Sequence, residues 1–294
     1  MRNKPVAPRT GLGTARPAWM LSITLVALLF TSALPIFQPG SARAEERAVP
    51  STQEIMGAKA HVADVYDAYL HGRADQAELR AAEDHVSDLT GERVETTGGN
   101  RRSDLPGYEP FRQITPSYCG PATVQSMLHF LSRSKPGPKD AMLANGPGPD
   151  QQVLARDEWL VTNALDGTSW GETVPSTLNA WRGTRWYAAF GTPNAGGELT
   201  KDQAMRQIQY AIDHGYPVAA NVIYGPSTYT PAGFSPGTTY MHWESIIGYL
   251  DRDGERYIRL GESYGSPGHE YVPIQEIRWD DYWPAIGSWY GLVW

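Results

Sequence analysis

A single cysteine, Cys119, stands in the run Gln113-Ile-Thr-Pro-Ser-Tyr-Cys119-Gly-Pro-Ala-Thr-Val124. Val124, Met127, Leu128 and Leu131 follow at i, i+3, i+4 and i+7, a spacing that predicts an amphipathic helix. Gly120-Pro121 opens it, and proline is favoured in a first turn because its missing N–H is no loss there. Cys119 is therefore expected at a helix N-terminus, where the positive end of the helix dipole favours thiolate over thiol. Gln113, six residues upstream, has an amide N–H that can be donated to a developing oxyanion. The plain alternative is a buried thiol acting as a small hydrophobe.

A thiolate nucleophile needs a base within hydrogen-bonding reach and a third group that orients the base. Of seven histidines, His61, His71 and His85 lie in the N-terminal helical stretch, His129 falls mid-helix away from the cysteine's end, and His269 is in a Gly-Pro loop. His214 is expected at a helix C-terminus, where the dipole alone favours a partly cationic ring. His242 differs, because it begins a predicted strand, Tyr240–Leu250. That strand returns through Asp251-Arg-Asp-Gly254, a hairpin turn, into Arg256–Leu260. Glu262 follows at the end of the partner strand, beside His242 and able to hold its ring. Glu244, two residues along from His242 and on the same face, ranks second.

A glutamine, then a cysteine opening a helix, then a histidine on a strand followed by Gly248-Tyr249, then a polar partner after the next strand: this order resembles the papain-like cysteine peptidases, over about residues 111–290. Closest in pattern is the family containing the double-glycine leader peptidases of bacteriocin exporters and its secreted relatives, which share the Tyr118-Cys-Gly-Pro-Ala122 start. The resemblance implies an α+β, papain-like fold: a helical half carrying Cys119, and an antiparallel sheet carrying His242 and the acid. It implies a Cys119–His242–Glu262 triad with Gln113 as oxyanion donor, no cofactor, and cleavage of a peptide or isopeptide bond in a peptide or protein substrate. A transamidase would use the same residues. Relatives put Asp or Asn at the third site, so Glu262 in Glu262-Ser-Tyr-Gly265 is a departure. It is also compatible with weak activity, or with an inactive relative that keeps the fold for binding.

Two other chemistries have partial signatures in the sequence. Gly261-Glu-Ser263-Tyr-Gly265 matches the G-x-S-x-G elbow of serine hydrolases, but that motif needs a helix straight after the serine, and Ser266-Pro-Gly follows. Trp279, Trp283, Trp289 and Trp294 with Tyr282 and Tyr290 form an aromatic C-terminus that would suit stacking on sugars or peptides, although such clusters are more often packing. The sequence has no metal-ligand spacing and no phosphate-binding glycine loop.

The N-terminus reads as an export signal. Arg2, Lys4, Arg9 and Arg16 precede an apolar run from Trp19 to Phe37, and Ala42-Arg43-Ala44 offers a cleavage site. Cleavage is expected after Ala44, giving a secreted or extracytoplasmic protein; an uncleaved membrane anchor is the alternative. Five of the 25 basic residues and none of the 32 acidic ones lie in 1–44, so the remainder has a net charge of −12. That charge argues against nucleic acid as a partner. One cysteine excludes an intramolecular disulfide, and an unpaired thiol in an oxidising compartment is a liability unless buried or used.

Residues 45–105 read as a helical hairpin and linker, a candidate pro-segment, ahead of a catalytic domain at 106–294. The hairpin is expected to bury Ile55, Val62, Val65, Tyr66, Tyr69 and Leu70 from its first helix, and Leu79, Val86 and Leu89 from a second at 76–90. Residues 96–110 read as an extended arm. Further helices are expected at 152–165, near 175–182, and from the Thr200–Gln203 capping box to His214-Gly215. Strands are expected at 186–190, 217–224 and 270–272.

Overall fold

Capping and apolar spacing account for most of the helices. In the computed structural model, which describes residues 48–94, 103–139, 148–265, 270–287 and 289–294, Ser51 and Glu54 form a reciprocal capping box that opens α1 (Thr52–Leu70). Asp75 and Glu78 do the same for α2 (Gln76–Thr90). Then come α3 (Cys119–Ser134), a single turn α4 (Gln151–Leu154) and α5 (Thr173–Arg182). The Thr200–Gln203 box opens α6 (Lys201–Asp213), and α7 (Trp279–Gly287) lies near the C-terminus. The proposed signal segment 1–44 and His269 lie outside the described residues.

The strands β1 (Ala189–Gly191), β2 (Val218–Tyr224), β3 (Tyr240–Arg252), β4 (Glu255–Gly261), β5 (Ile274–Arg278) and β6 (Gly291–Val293) form one six-stranded sheet. Its order is β1-β6-β2-β3-β4-β5, and every neighbouring pair is antiparallel. Helices α3 and α6 pack on β3, and α7 packs on β2. Val124 and Leu131 of α3, Ile208 and Ile212 of α6, Val218 and Val222 of β2, Ile246 of β3, and Ile258 and Leu260 of β4 are fully buried. The fold is thus α+β, with the cysteine helix laid against the sheet that carries the histidine.

The β3–β4 ladder is regular from Arg252↔Glu255 to Gly248↔Arg259, then shifts by one residue between Ile246 and Gly248. The end of the arm fills this bulge: Leu105 N–H donates to Ile247 O at 2.9 Å, and Tyr249 N–H to Ser103 O at 2.8 Å. A side chain at Gly248 would lie 2.9 Å from Ser103 O, so only glycine admits that approach.

Helix α1 meets α6 through Tyr66, whose hydroxyl donates to Asp213 at 2.7 Å, and Glu83 of α2 reaches His214 Nε2 at 3.1 Å. His214 therefore has more than the helix dipole to explain it.

Two expectations are corrected. The helix at 152–165 is only the turn Gln151–Leu154. Asn163 Oδ1 accepts from the N–H groups of Leu165 and Asp166, and Gly167 has φ +68°, so local turn chemistry displaces the helix. The strand at 270–272 lies instead at Ile274–Arg278, just after Pro273, whose ring has no N–H for a ladder. The C-terminal aromatic run contains α7 and β6, and β6 slots between β1 and β2.

Candidate active site

The start of α3 is pinned to β3 beside His242. A Cβ on Gly120 would lie 2.2 Å from Thr168 Oγ1, so glycine is what lets the 160s loop close over the residue after Cys119. That loop in turn accepts from Trp243, whose Nε1–H donates to Thr168 O at 2.8 Å. Thr123 Oγ1, one turn into α3, donates to Trp243 O at 3.0 Å. Two hydrogen bonds to one residue thus fix helix, loop and strand together.

His242 and Glu262 meet at 2.7 Å, from Nε2 to Oε1, and both are buried. The other ring nitrogen, Nδ1, is left for the neighbouring Cys119, whose interaction with the ring helps raise its pKa. Burial alone pulls the His242 pKa down, but the Glu262 charge and the bonds to Cys119 and Glu262 outweigh it and hold the ring well above its ordinary value. Glu262 Oε1 also accepts from the backbone N–H groups of Ser263 and Tyr264, both at 2.7 Å. Burial works against the Glu262 charge; the neighbouring His242 charge and these bonds hold its carboxyl below the usual range.

Glu244 lies on the His242 face of β3, fully buried, and Tyr224 of β2 and Tyr282 of α7 each donate to its Oε1 at 2.5 Å. Burial and the adjacent Glu262 push its pKa up to about 8, against the pull of His242 and the two hydroxyls.

Gln113 is tied to the same end of the sheet: its backbone N–H donates to Ser263 O at 2.8 Å. Its amide, however, donates to Thr115 O at 2.8 Å and Pro116 O at 3.0 Å, so both hydrogens are engaged within its own loop. Ser263 Oγ donates to Gln113 Oε1 at 3.3 Å. Ser263 is buried, the segment to Gly265 is not helical, and the next described element is β5, so the serine-elbow context is not met.

Cys119 and His242 open into a cleft of about 550 Å³. Trp170 forms one wall, stacked between Trp243 (ring centroids 5.8 Å apart) and Tyr290 (5.7 Å). Trp289 and Tyr290 therefore line the cleft, while Trp279, Tyr282 and Trp294 are core. Sequence reasoning missed Asn221, which lines the cleft from β2, is 4% exposed, and has an Oδ1 without a hydrogen-bond partner. A lone amide in the apolar strand Pro217-Val-Ala-Ala-Asn-Val-Ile-Tyr224 was the available signal. It also missed the tyrosine pair on Glu244.

Among the described residues, His242, Glu244 and Glu262 are the one cluster with metal-type donors, offering atoms within 4.8 Å of one another. The His242–Glu262 hydrogen bond and the two tyrosine donors already occupy Nε2 and both Oε1 atoms, so the set is better described as a proton network than as a cation cage.

The family model described as "Peptidase_C39 like family" matches residues 106–288. No curated protein matches. Among solved structures, digestive procathepsin L 3 of Tenebrio molitor larval midgut is similar at 12% identity and TM-score 0.36, over 82% of this chain and 90% of that one. The proform of the Amb a 11 cysteine protease, a ragweed pollen allergen, is similar at 11% identity and TM-score 0.36, over 83% and 76%.

Proposed function

Because the chain belongs to the Peptidase C39-like family, we propose that it cleaves a peptide or isopeptide bond through Cys119, His242 and Glu262. The 2.7 Å contact between His242 and Glu262, behind a cysteine that opens a helix onto the cleft, is the observation that carries this reading. A charged imidazole beside the sulfur is the counter-ion a thiolate needs. The thiolate attacks the carbonyl carbon, and His242 gives its proton to the leaving amine as the C–N bond breaks. Water then adds to the thioester with His242 as base, and Glu262 keeps the ring in register through both steps.

The carbonyl oxygen becomes an oxyanion near the start of α3, where first-turn backbone N–H groups such as that of Cys119 have no acceptor within the helix. Gln113 serves as second donor by exchanging one of its two loop carbonyls for the oxyanion. Asn221 Oδ1 is suited to accept a substrate N–H, and the Trp170–Tyr290 wall to flank a flat or apolar side chain. The substrate is met outside the cytoplasm, a reading that rests on the basic, apolar and small-residue pattern of 1–44. Among the described residues no helix is long and apolar enough to cross a membrane.

An electrophilic peptide library reacted with the purified protein tests this. Covalent capture at Cys119, lost in Cys119→Ala with the melting temperature unchanged, is expected. Capture of Ser263 by a fluorophosphonate, with Cys119 untouched, would replace the reading with a serine hydrolase.

A further inference from the structure

Two carboxyl groups are buried side by side behind the cleft, and the triad needs only one. The β3–β4 ladder pairs Ser245 with Gly261, so the next position outward sets Glu262 across from Glu244. Like charges directly opposite on a sheet repel, and neither side chain has any exposure to water. The hydrogen bonds divide unevenly. Oε1 of Glu262 takes His242 and two backbone N–H groups, and Oε1 of Glu244 takes Tyr224 and Tyr282. Oε2 of each has no partner of that kind. A buried oxygen without a partner is costly, and here two such oxygens belong to neighbouring carboxyls of one cluster whose donor atoms lie within 4.8 Å of one another. One proton satisfies both.

We propose that Glu244 is a neutral carboxylic acid whose Oε2–H donates to Oε2 of Glu262, so that Tyr224, Tyr282 and Glu244 together position the residue that positions His242. The donors fix which carboxyl keeps the proton. Glu262 faces a cation and two N–H dipoles, which favour its charge; Glu244 faces two neutral hydroxyls and a carboxylate. Tyr224, Tyr282 and Glu262 meet Glu244 from three other segments, His242 is the charged group on its own strand, and Cys119 reaches the cluster only through His242. Among these, only Glu244 has a carboxyl displaced upward, to about 8, by burial and by Glu262. The proton is therefore present below that pH and lost as pH rises through it. Its loss leaves two facing carboxylates on one imidazolium, and Glu262 is pushed off the ring. A glutamate at the third site is thereby supported at both ends, where relatives carry the shorter Asp or Asn.

The proposal rests on the peptidase reading for its kinetic consequences but not for its chemistry, and the test separates the two. Infrared spectra of Cys119→Ala protein should show a buried carboxylic-acid C=O band that disappears as pH rises past about 8 and is absent when Glu244→Gln is added. With a turned-over peptide, Glu244→Leu should lower kcat roughly 10- to 100-fold at unchanged KM, the factor expected when one buried acceptor is left unpaired. Glu244→Gln keeps an N–H for Glu262 and an oxygen for the tyrosines. It should recover most of that loss and move the alkaline limb of kcat upward, to a limb set by His242. Absence of the acid band at neutral pH overturns the proposal whatever the activity. So does a Glu244→Gln variant as impaired as Glu244→Leu, or with the wild-type alkaline limb. If no peptide is turned over but the band behaves as described, the peptidase reading fails and the shared proton stands.

Discussion

Buried charge is handled differently at two places in this molecule. Where the N-terminal hairpin meets the body, Glu92 accepts from Arg182 at 2.9 and 3.2 Å and from the Tyr216 hydroxyl at 2.9 Å. Asp213 accepts from Tyr66 and Tyr249, both at 2.7 Å. Lys59, with no exposure, sits 3.5 Å from the Trp186 ring centroid and 3.9 Å from that of Trp294, its pKa lowered well below the ordinary value by burial despite Glu92. Each acid there has its own donors, and none opens on the cleft. Behind the cleft, two acids share one imidazole. The first arrangement spends buried charge on joining elements; the second keeps a histidine charged and oriented beside a thiol. Burial of an ionisable group therefore does not by itself mark a site. An uneven ratio of acids to cations, next to a nucleophile and open space, does.

The comparison breaks if the hairpin junction proves chemical or the cleft cluster proves structural. Arg182→Leu should cost the most stability, about 3–5 kcal/mol, because it leaves Glu92 buried with a hydroxyl in place of its cation. Denaturant unfolding should show that loss, while kcat of the folded fraction stays at the wild-type value; a change in kcat would join the two regions. Glu262→Gln should do the reverse. We expect kcat to fall roughly 10- to 1000-fold with little change in KM, since orienting the base matters mainly in the transition state. The melting temperature should change little, because glutamine keeps a side-chain oxygen for His242 and the two backbone N–H groups. A silent Glu262→Gln alongside an inactive Glu244→Gln would make Glu244 the direct partner. Gln113→Ala should have the smallest effect. A dedicated oxyanion donor is worth about 2.7–4 kcal/mol, but this amide must first leave Thr115 or Pro116, so kcat/KM should fall by less than that range implies. Equal losses in turnover and in alkylation of Cys119 by iodoacetamide would assign Gln113 to holding its loop.

Much of the site is legible in the sequence because its signals are local. The 3.6-residue spacing after Val124 locates the helix start, and with it Cys119. His242 and Glu262 stand out as polar residues at the ends of strands joined by a tight turn. The missing parts depend on distant pairings or on competition within short segments. β6 has three residues and joins the sheet between β1 and β2, a placement no local period encodes. The apolar spacing at 152–165 is present, yet Asn163 and Gly167 supply a turn that costs less than continuing the helix. The tyrosines on Glu244 come from β2 and α7, 20 and 38 residues away. For Gln113 the sequence suggests a free amide donor, whereas its amide donates to carbonyls of its own loop, a local competition that spacing does not encode.

The bulge at Gly248 is a matter of parity. Counted back from the turn, a regular hairpin would set Glu262 opposite Ser245, and strand pleating would send its side chain to the face away from His242. The single extra residue in β3 makes the count even again, so the acid and the base arrive on the same side. The hairpin's far end can thus gain or lose residues in pairs and keep its chemistry. One residue removed between Glu244 and the bulge would leave a folded sheet whose histidine has no carboxylate.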